Sequence, residues 1–253
     1  MHAFVLSAGF GTRLGTLTQL TPKPMLDLHG RPLLEYIVRH LGWCGYRKLG
    51  INLHFLPDVI RNHFGSGAPF GASIQYSHEP ELLGTAGGVK RMASAASVDE
   101  AFLIHYGDVL TDMDFRSLAA RHRERRALVT MLVHERPGSN SVVCLGDDGR
   151  VTRFLERPTE TERQGITSSW VNSGIWVCEP EVLAHIPPDT ACDLARDILP
   201  KLVPTGRVYA HPLEGYRCAI DSEQRLTAAR EAVSSGRCRL HWNHEAGRFA
   251  AAG

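Results

Sequence analysis

The first half of the chain alternates short apolar runs with segments whose apolar residues recur at helical spacing. The runs AFVLSAG, KLGINLHF, ASIQYSHE and AFLIHYGD are predicted strands, and PLLEYIVRHLGWCG, DVIRNHF and TAGGVKRMASAA between them are predicted helices. Strands and helices in this order favour an α/β layered fold with a mainly parallel sheet. Ligands bind at the carboxyl ends of the strands in such sheets, so the residues that follow each run are the first candidates for a site.

The second half of the chain is more mixed. ALVTMLVHE, SVVCLGDDGRVTRFLERP and SWVNSGIWVCE are predicted strands with a hairpin turn at DDG, and DLARDILPKLV and SEQRLTAAREAVSS are predicted helices. The periodicity is lost towards the C-terminus, which predicts one domain over residues 1–230 and a tail over 231–253. His241 and His244 lie at helical spacing in this tail, where a solvated extension is favoured over a metal site.

Composition argues against several classes of partner. Lys and Arg number 28 against 27 Asp and Glu, so there is no overall basic charge to attract nucleic acid. No apolar run approaches the ~18–20 residues needed to span a bilayer, so no membrane partner is expected. The six cysteines form no C-x-x-C pair, which favours a reducing, cytoplasmic location.

A glycine-rich loop, Gly9–Arg13, follows the first predicted strand. Two glycines let backbone N–H groups approach phosphate oxygens closely, and Arg13 and Lys23 add two cations. The loop is neither a Walker A motif nor G-x-G-x-x-G, because Leu14 stands in the place of the third glycine. Taken alone, a pair of glycines fits a tight turn with surface charges better than a phosphate site.

The longer run GFGTRLGTLTQLTPKP resembles the first motif of the sugar-1-phosphate nucleotidyltransferases, and LLGTAGGV, YGDVL, FLERP and WVNSGIWV resemble later motifs in the family's order. The resemblance covers about residues 3–230. It implies a Rossmann-like layered fold with a mainly parallel mixed sheet, of the nucleotide-diphospho-sugar transferase type. It also implies an enzyme that joins a nucleoside triphosphate and a sugar 1-phosphate, releases pyrophosphate and uses Mg²⁺.

Within this family the chain resembles the guanylyltransferases of mannose or heptose 1-phosphate. The sequence does not choose among mannose, heptose, glucose, an amino sugar and a sugar-like cyclitol. Assembly into a homo-oligomer also stays open.

The resemblance assigns a role to each matching residue. Arg13 would hold the leaving pyrophosphate, and Lys23 would reach the α-phosphate, as the catalytic pair. These two would stabilise charge on the phosphoryl oxygens during in-line attack by the sugar phosphate on the α-phosphorus, a reaction that needs little covalent help from a protein. The residues matched to nucleotide binding are Leu6, Ala8, Gly9, Gly11, Thr12, Glu79, Gly84 and Thr85.

The sugar and metal residues come from the later motifs. Glu156 and Asn172 match residues that hydrogen-bond sugar hydroxyls, and Arg157 stands where the family usually has a lysine that contacts the sugar 1-phosphate. Arginine keeps the charge but presents a planar fork. Asp108 matches the metal-binding aspartate, for which a turn or helix-cap role is the alternative.

Glu79 bears on the nucleobase, because it lies five residues before Gly84, where some family members place a base-reading glutamine. A carboxylate accepts two hydrogen bonds, and guanine offers adjacent N1–H and N2–H₂ donors. GTP is therefore favoured over UTP and dTTP, unless Glu79 faces solvent.

Two positions depart from the family pattern. Ser141 stands at about the position of a glycine whose backbone lies against the sugar. Ala219 aligns with an aspartate that supports the metal, and Asp221 is the nearest replacement. If a strand continues from Ala219, Asp221 faces the same side and supports the metal; the equally weighted alternative is that it caps the next helix.

Three other functions compete with a guanylyltransferase. One is a uridylyl- or thymidylyltransferase of the same family. Another is a non-catalytic nucleotide-sugar-binding subunit, suggested by Ala219. The third is a glycosyltransferase with a metal-binding D-x-D motif, but the DMD at Asp112–Asp114 is better interpreted as the start of a helix.

Overall fold

The computed structural model describes residues 1–240 and, beyond them, only the backbone of two short strands. The helices are α1 (Leu33–Trp43), α2 (Pro57–Phe64), α3 (Gly84–Ala95), α4 (Phe115–Glu124), α5 (Glu160–Arg163), α6 (Leu199–Leu202) and α7 (Glu223–Ser234). The strands are β1 (His2–Leu6), β2 (Lys48–Leu53), β3 (Ser73–His78), β4 (Phe102–Tyr106), β5 (Val109–Thr111), β6 (Val129–Glu135), β7 (Ser141–Leu145), β8 (Val151–Glu156), β9 (Trp170–Cys178), β10 (Val208–Pro212), β11 (Arg217–Ala219), β12 (Trp242–Asn243) and β13 (Arg248–Phe249). The tail histidines His241 and His244 lie outside the described residues.

A seven-stranded sheet forms the centre of the molecule, in the order β10-β6-β9-β4-β1-β2-β3. The strands β3, β2, β1 and β4 are parallel, β10 is parallel to β6, and β9 runs antiparallel to both β4 and β6. The predicted mixed, mainly parallel sheet is therefore confirmed. From β1 the chain proceeds to β2 on one side, while β4 lies on the other side, which opens a crevice at the carboxyl ends of β1 and β4.

Most predicted elements have counterparts in the structure. The DDG turn joins β7 to β8, with the Gly149 N–H donating to the Gly146 carbonyl at 3.0 Å. The run DLARDILPKLV is helical, but it begins as a π-helix over Leu194–Ile198 before α6. Strand β10 was not predicted, because only its first residue is buried and its sequence shows no apolar alternation.

Two apolar clusters cover the two faces of the sheet. One packs α1, α2 and α7 against the face that includes Ala3 and Val5, and the other packs α3 and α6 against the face that includes Phe4. Alternate residues of β1 thus enter opposite layers, as the strand period of two requires. Among the described helices, none has the length and apolar character that crossing a bilayer demands.

The predicted boundary at residue 230 falls inside α7, which continues to Ser234. Beyond this helix, Cys238 is only 4 % exposed and belongs to the same apolar cluster as α1. The division into a domain and a tail stays a prediction.

Candidate functional site

A cleft of about 390 Å³ opens at the carboxyl ends of β1 and β4. Eleven of the predicted site residues line it: Leu6, Ala8, Gly9, Gly11, Thr12, Arg13, Lys23, Glu79, Gly84, Thr85 and Asp108. The sequence prediction missed several others, including Ser7, Asn52, Tyr106 and Asp193. Residues that are far apart in the sequence meet here because parallel strands bring their ends to one edge of the sheet.

The Gly9–Arg13 loop leaves β1 and forms one wall of the cleft. Gly11 has a φ of +68° and begins the 3₁₀ turn Thr12–Thr18. A Cβ at this position would lie 2.9 Å from the Lys23 Cβ, so both the backbone conformation and the close packing require glycine. By contrast, a Cβ at Gly9 would meet nothing within 4 Å, so the backbone is accessible there.

Lys23 and Asp108 form an ion pair across the cleft. The Lys23 Nζ donates to the Asp108 Oδ2 at 2.5 Å, and the two side chains are 16 % and 29 % exposed. The cation lies next to a carboxylate at the position where the family resemblance places a metal ligand. A polyphosphate that enters the cleft would compete with Asp108 for Lys23. The Asp108 carboxylate, once unpaired, could then bind another cation.

Arg13 differs from Lys23, because no carboxylate lies within 4 Å of its guanidinium in residues 1–240. The side chain is exposed and lines the cleft. A guanidinium without a protein partner can form a bidentate contact with a phosphate at little desolvation cost.

The donor set around Asp108 fits a magnesium ion that is carried in by phosphates. No group of three or more His, Cys, Asp or Glu side chains within the described part of the chain could hold a metal. Mg²⁺ commonly binds through one or two carboxylates together with phosphate oxygens and waters. Asp108 can supply the carboxylate, with the remaining positions left to ligand oxygens and waters.

A chain of buried polar contacts forms the floor of the cleft. The Ser7 N–H donates to the Asn52 Oδ1 at 2.7 Å, and the Asn52 Nδ2 donates to the Glu79 Oε1 at 2.8 Å. The Glu79 Oε2 accepts from the Leu83 N–H at 3.0 Å. The alternative that Glu79 faces solvent is wrong, since the residue is 0 % exposed and lines the cleft.

The start of α3 is clamped by the segment that precedes α6. The Ala86 N–H donates to the Cys192 carbonyl at 2.9 Å, and the Thr85 Oγ1 donates to the Asp193 Oδ2 at 3.0 Å. Gly84, with a φ of +69°, permits this contact, because a Cβ would lie 2.5 Å from the Cys192 carbonyl oxygen. Asp193 thereby fixes the wall that carries Gly84 and Thr85.

Asp193 also faces a second carboxyl group, that of Glu156. Burial, followed by the charge of Asp193, raises the pKa of Glu156 to about 7. Burial raises the pKa of Tyr106 well above its ordinary value, and Asp193 and Glu156 act in the same direction. Near neutral pH, Glu156 can donate or accept a hydrogen bond, which suits recognition of hydroxyl groups.

None of the three predicted sugar residues, Glu156, Arg157 and Asn172, is among the residues that line the cleft. The Asn172 Oδ1 accepts from the Gly174 N–H at 2.9 Å, and the Asn172 N–H donates to the Ser141 Oγ at 3.0 Å. Ser141 thus joins β7 to the start of β9, a contact that glycine could not make. Arg157 is exposed and has a φ of +53°, a strained conformation for a residue with a side chain.

We expect Glu156→Gln to stabilise the protein at pH 8 but not at pH 4.5. The folded state raises the pKa of Glu156 above its ordinary value of 4.5, so it favours the protonated form, and the stability that depends on this proton is lost as the pH rises from 4.5 through about 7. Glutamine is neutral throughout and avoids this loss. Each kcal/mol gained in the free energy of unfolding should raise the melting temperature of the variant by about 2–4 °C at pH 8.

Thermal unfolding at both pH values measures the effect, with the exposed Glu160→Gln as the matched control. A gain that is equal at pH 4.5 and pH 8 would show that ionisation of Glu156 is not its source.

Asp221 does not cap the following helix, which corrects one of its two predicted roles. The Ser222 side chain accepts from the Arg225 N–H and is the N-cap of α7. Strand β11 ends at Ala219, and the Asp221 carboxylate lies 3.3 Å from the Arg225 Nε. The chain turns after Ala219, so the strand alternation that would align Asp221 with Ala219 does not apply. Its assignment to the metal stays a prediction.

The DMD segment has structural partners. The Asp114 side chain accepts from the Arg116 N–H and caps α4, as predicted for the start of a helix. The Asp112 Oδ1 accepts from the Tyr216 N–H at 2.6 Å. These contacts argue against a D-x-D metal site.

Comparison with known families matches residues 2–242 to the nucleotidyl transferase family. The chain is 34 % identical over 220 residues to a UTP–glucose-1-phosphate uridylyltransferase of Synechocystis sp., which covers 81 % of this chain and 56 % of that protein. It is 32 % identical over 215 residues to a mannose-1-phosphate guanylyltransferase of Mycobacterium tuberculosis, covering 83 % of this chain and 58 % of the relative. The chain thus spans somewhat more than half the length of these curated relatives.

Solved structures show the same fold. A putative glucose-1-phosphate thymidylyltransferase from Bacillus anthracis superposes with a TM-score of 0.79 at 19 % identity, covering 91 % of this chain and 94 % of the other. HddC from Yersinia pseudotuberculosis, complexed with GMP-PN, superposes with a TM-score of 0.76 at 24 % identity, covering 92 % and 99 %. The family match and the similarity to the named relatives together establish that this chain belongs to the sugar-1-phosphate nucleotidyltransferase family.

Proposed function

We propose that the protein transfers a nucleoside monophosphate from a nucleoside triphosphate to a sugar 1-phosphate. An oxygen of the sugar phosphate attacks the α-phosphorus, the bond from the α-phosphorus to the bridging oxygen of the β-phosphate breaks, and pyrophosphate leaves. The products are a nucleoside diphosphate sugar and pyrophosphate. The observation that carries the proposal is the convergence of Arg13, Lys23 and Asp108 on one cleft, at the crevice of a parallel sheet.

The residues around the cleft suit this reaction. The Gly9–Gly11 backbone can approach phosphate oxygens, and Arg13 and Lys23 stabilise the charge on the leaving pyrophosphate and on the α-phosphate. Mg²⁺ would neutralise phosphate charge and orient the triphosphate when bound, with Asp108 as its protein ligand. Glu156 and Asn172 are proposed to contact sugar hydroxyls, and Arg157 the sugar phosphate.

Ala219 also fits a subunit that binds nucleotide sugars without turnover. Arg13, Lys23 and Asp108 are all present and line one cleft, which supports an enzyme over a binding subunit. A cytoplasmic location and a homo-oligomeric state stay predictions.

We propose GTP as the preferred nucleotide. Glu79 lies at the floor of the cleft, is 0 % exposed, and accepts one hydrogen bond from the protein on each oxygen. A base would use the second lone pair of each oxygen, which requires the floor to open when the nucleotide binds. Guanine offers two adjacent donors to such a carboxylate, whereas uracil and thymine offer one.

The test is pyrophosphate release over a matrix of five nucleoside triphosphates and several sugar 1-phosphates, with Mg²⁺ present. We expect GTP to give the highest kcat/KM, and Glu79→Gln to reduce its advantage over UTP. If UTP or dTTP exceeded GTP tenfold in kcat/KM, the guanine assignment would be wrong. If no combination released pyrophosphate, the proposed enzyme activity itself would fail.

A further inference from the structure

Arg217 presents a guanidinium that makes no ion pair within residues 1–240. It is not one of the residues that line the cleft, but the charge of Asp108, which does line it, acts on this group. Its Nη2 and Nε both donate to the Ser173 carbonyl, at 3.0 and 3.3 Å. Two of its five N–H donors are used in this way, and the other three have no acceptor within residues 1–240. Across residues 1–240, no carboxylate oxygen lies within 4 Å of this group.

The pairing of β11 with β5 brings Arg217 into the neighbourhood of Asp108, with Arg217 opposite Thr111. Ala219 pairs with Val109, and the Ile220 N–H donates to the Asp108 carbonyl at 2.8 Å. Arg217 and Ala219 are two residues apart on a strand, so their side chains share a face. The guanidinium therefore lies between the strand that follows Asp108 and the Asn172–Gly174 segment of β9.

The charge of Arg217 is not balanced by its surroundings. Burial lowers the pKa of its side chain to about 10, while the charge of Asp108 favours the cationic form, so Arg217 remains positively charged at neutral pH. Burial lowers the pKa of the neighbouring His134 to about 4, and Arg217 acts in the same direction. His134 is therefore neutral, and Asp108, whose charge favours the Arg217 cation, is already paired with Lys23.

Arg225 on the next helix shows the contrast. Its Nη1 donates to the Ala219 carbonyl at 3.1 Å, and its Nε lies 3.3 Å from the Asp221 carboxylate. Arg225 has both a carbonyl and a carboxylate partner in the protein. Arg217 donates to a single carbonyl, and its remaining N–H groups have no acceptor within residues 1–240. A partly desolvated cation with further donors is stabilised when an anion binds to it.

We propose that Arg217 binds the phosphate of the incoming sugar 1-phosphate, next to Asp108. This inference rests on the proposed function and identifies a binding residue for the phosphate of its second substrate, in addition to Arg157. The Ser173 carbonyl fixes the planar group, and the free donors can bind two phosphate oxygens in parallel. Ala219 on the same face adds no negative charge, so β11 presents to the substrate a cation and no carboxylate.

The test compares Arg217→Gln, Arg217→Lys and the control Arg225→Gln. We expect Arg217→Gln to raise the KM for the sugar 1-phosphate about 10- to 100-fold, the scale of a lost charge-assisted hydrogen bond, with the KM for the nucleotide changed less than about threefold. Arg217→Lys should recover part of the loss, because it restores the charge but not the fork. Arg225→Gln should leave both KM values within about threefold.

Calorimetric titration of mannose 1-phosphate and glucose 1-phosphate, with the nucleotide site filled by a non-hydrolysable analogue, provides a readout besides turnover. If the wild type is active and Arg217→Gln binds the sugar 1-phosphate with unchanged affinity, this inference is overturned and the proposed function stays intact. An increase confined to the nucleotide KM, or a loss of melting temperature with both KM values raised equally, would also overturn it. A wild type that binds no sugar 1-phosphate and releases no pyrophosphate would contradict the proposed function.

Discussion

Replacing Arg13 or Lys23 by alanine should lower the rate of pyrophosphate release on the order of 10²-fold or more, the scale of one preorganised charge-stabilising contact. Arg13 lines the cleft and has no carboxylate partner within residues 1–240, so its loss removes charge from the site without exposing a buried acid. Lys23 is paired with Asp108, so its loss removes a cation and also leaves that carboxylate unpaired. Both variants should stay folded, because neither side chain belongs to the apolar core.

Steady-state kinetics at saturating Mg²⁺ measures this effect, and Arg121→Ala provides the matched control. Arg121 is an exposed arginine on α4, where it pairs with Glu124. It should retain the wild-type rate. Wild-type activity in both Arg13→Ala and Lys23→Ala would remove these residues from the reaction.

Asp108→Asn should reduce turnover on the order of 10³-fold, because asparagine keeps the shape of the side chain but not the charge that a divalent cation needs. It should also raise the Mg²⁺ concentration needed for half-maximal activity. Loss of its partly exposed ion pair with Lys23 should cost only about 1 kcal/mol or less in the free energy of unfolding.

The decisive comparison is Mg²⁺-dependent nucleotide affinity, measured by calorimetry with and without Mg²⁺. In the wild type, Mg²⁺ should strengthen triphosphate binding, and in Asp108→Asn this gain should shrink. Asp221→Asn tests the second predicted metal residue in the same assay. An Asp108→Asn protein with unchanged Mg²⁺ dependence would exclude a metal site at this edge of the sheet.

The order of strands and helices predicted where the cleft would form, because parallel strands must end at one edge. Two motifs separated by more than eighty residues, those of Lys23 and Asp108, could be placed together on this argument and are in direct contact. The fold was predictable because each apolar run had the length of a buried strand and each intervening segment had helical spacing.

The parts that could not be predicted depend on tertiary packing. Asp193 bonds to Thr85 across 108 residues of sequence, and its own sequence context indicates only the start of a helix. Ser222, one residue after Asp221, is the N-cap of α7. The sequence could not predict this, because two neighbouring residues of capping type cannot be distinguished without the backbone angles. The sequence did not indicate a binding role for Arg217, because an arginine in a short strand is usually at the surface and its neighbours are known only from the structure.

Attack by a sugar phosphate oxygen on the α-phosphorus of a triphosphate can be followed by ³¹P NMR of the reaction with ¹⁸O in the phosphoryl group of the sugar 1-phosphate. We expect equal amounts of nucleoside diphosphate sugar and pyrophosphate, with all of the label in the nucleotide sugar and none in the pyrophosphate. Label in the pyrophosphate, release of orthophosphate, or pyrophosphate formed without the sugar 1-phosphate would contradict the account.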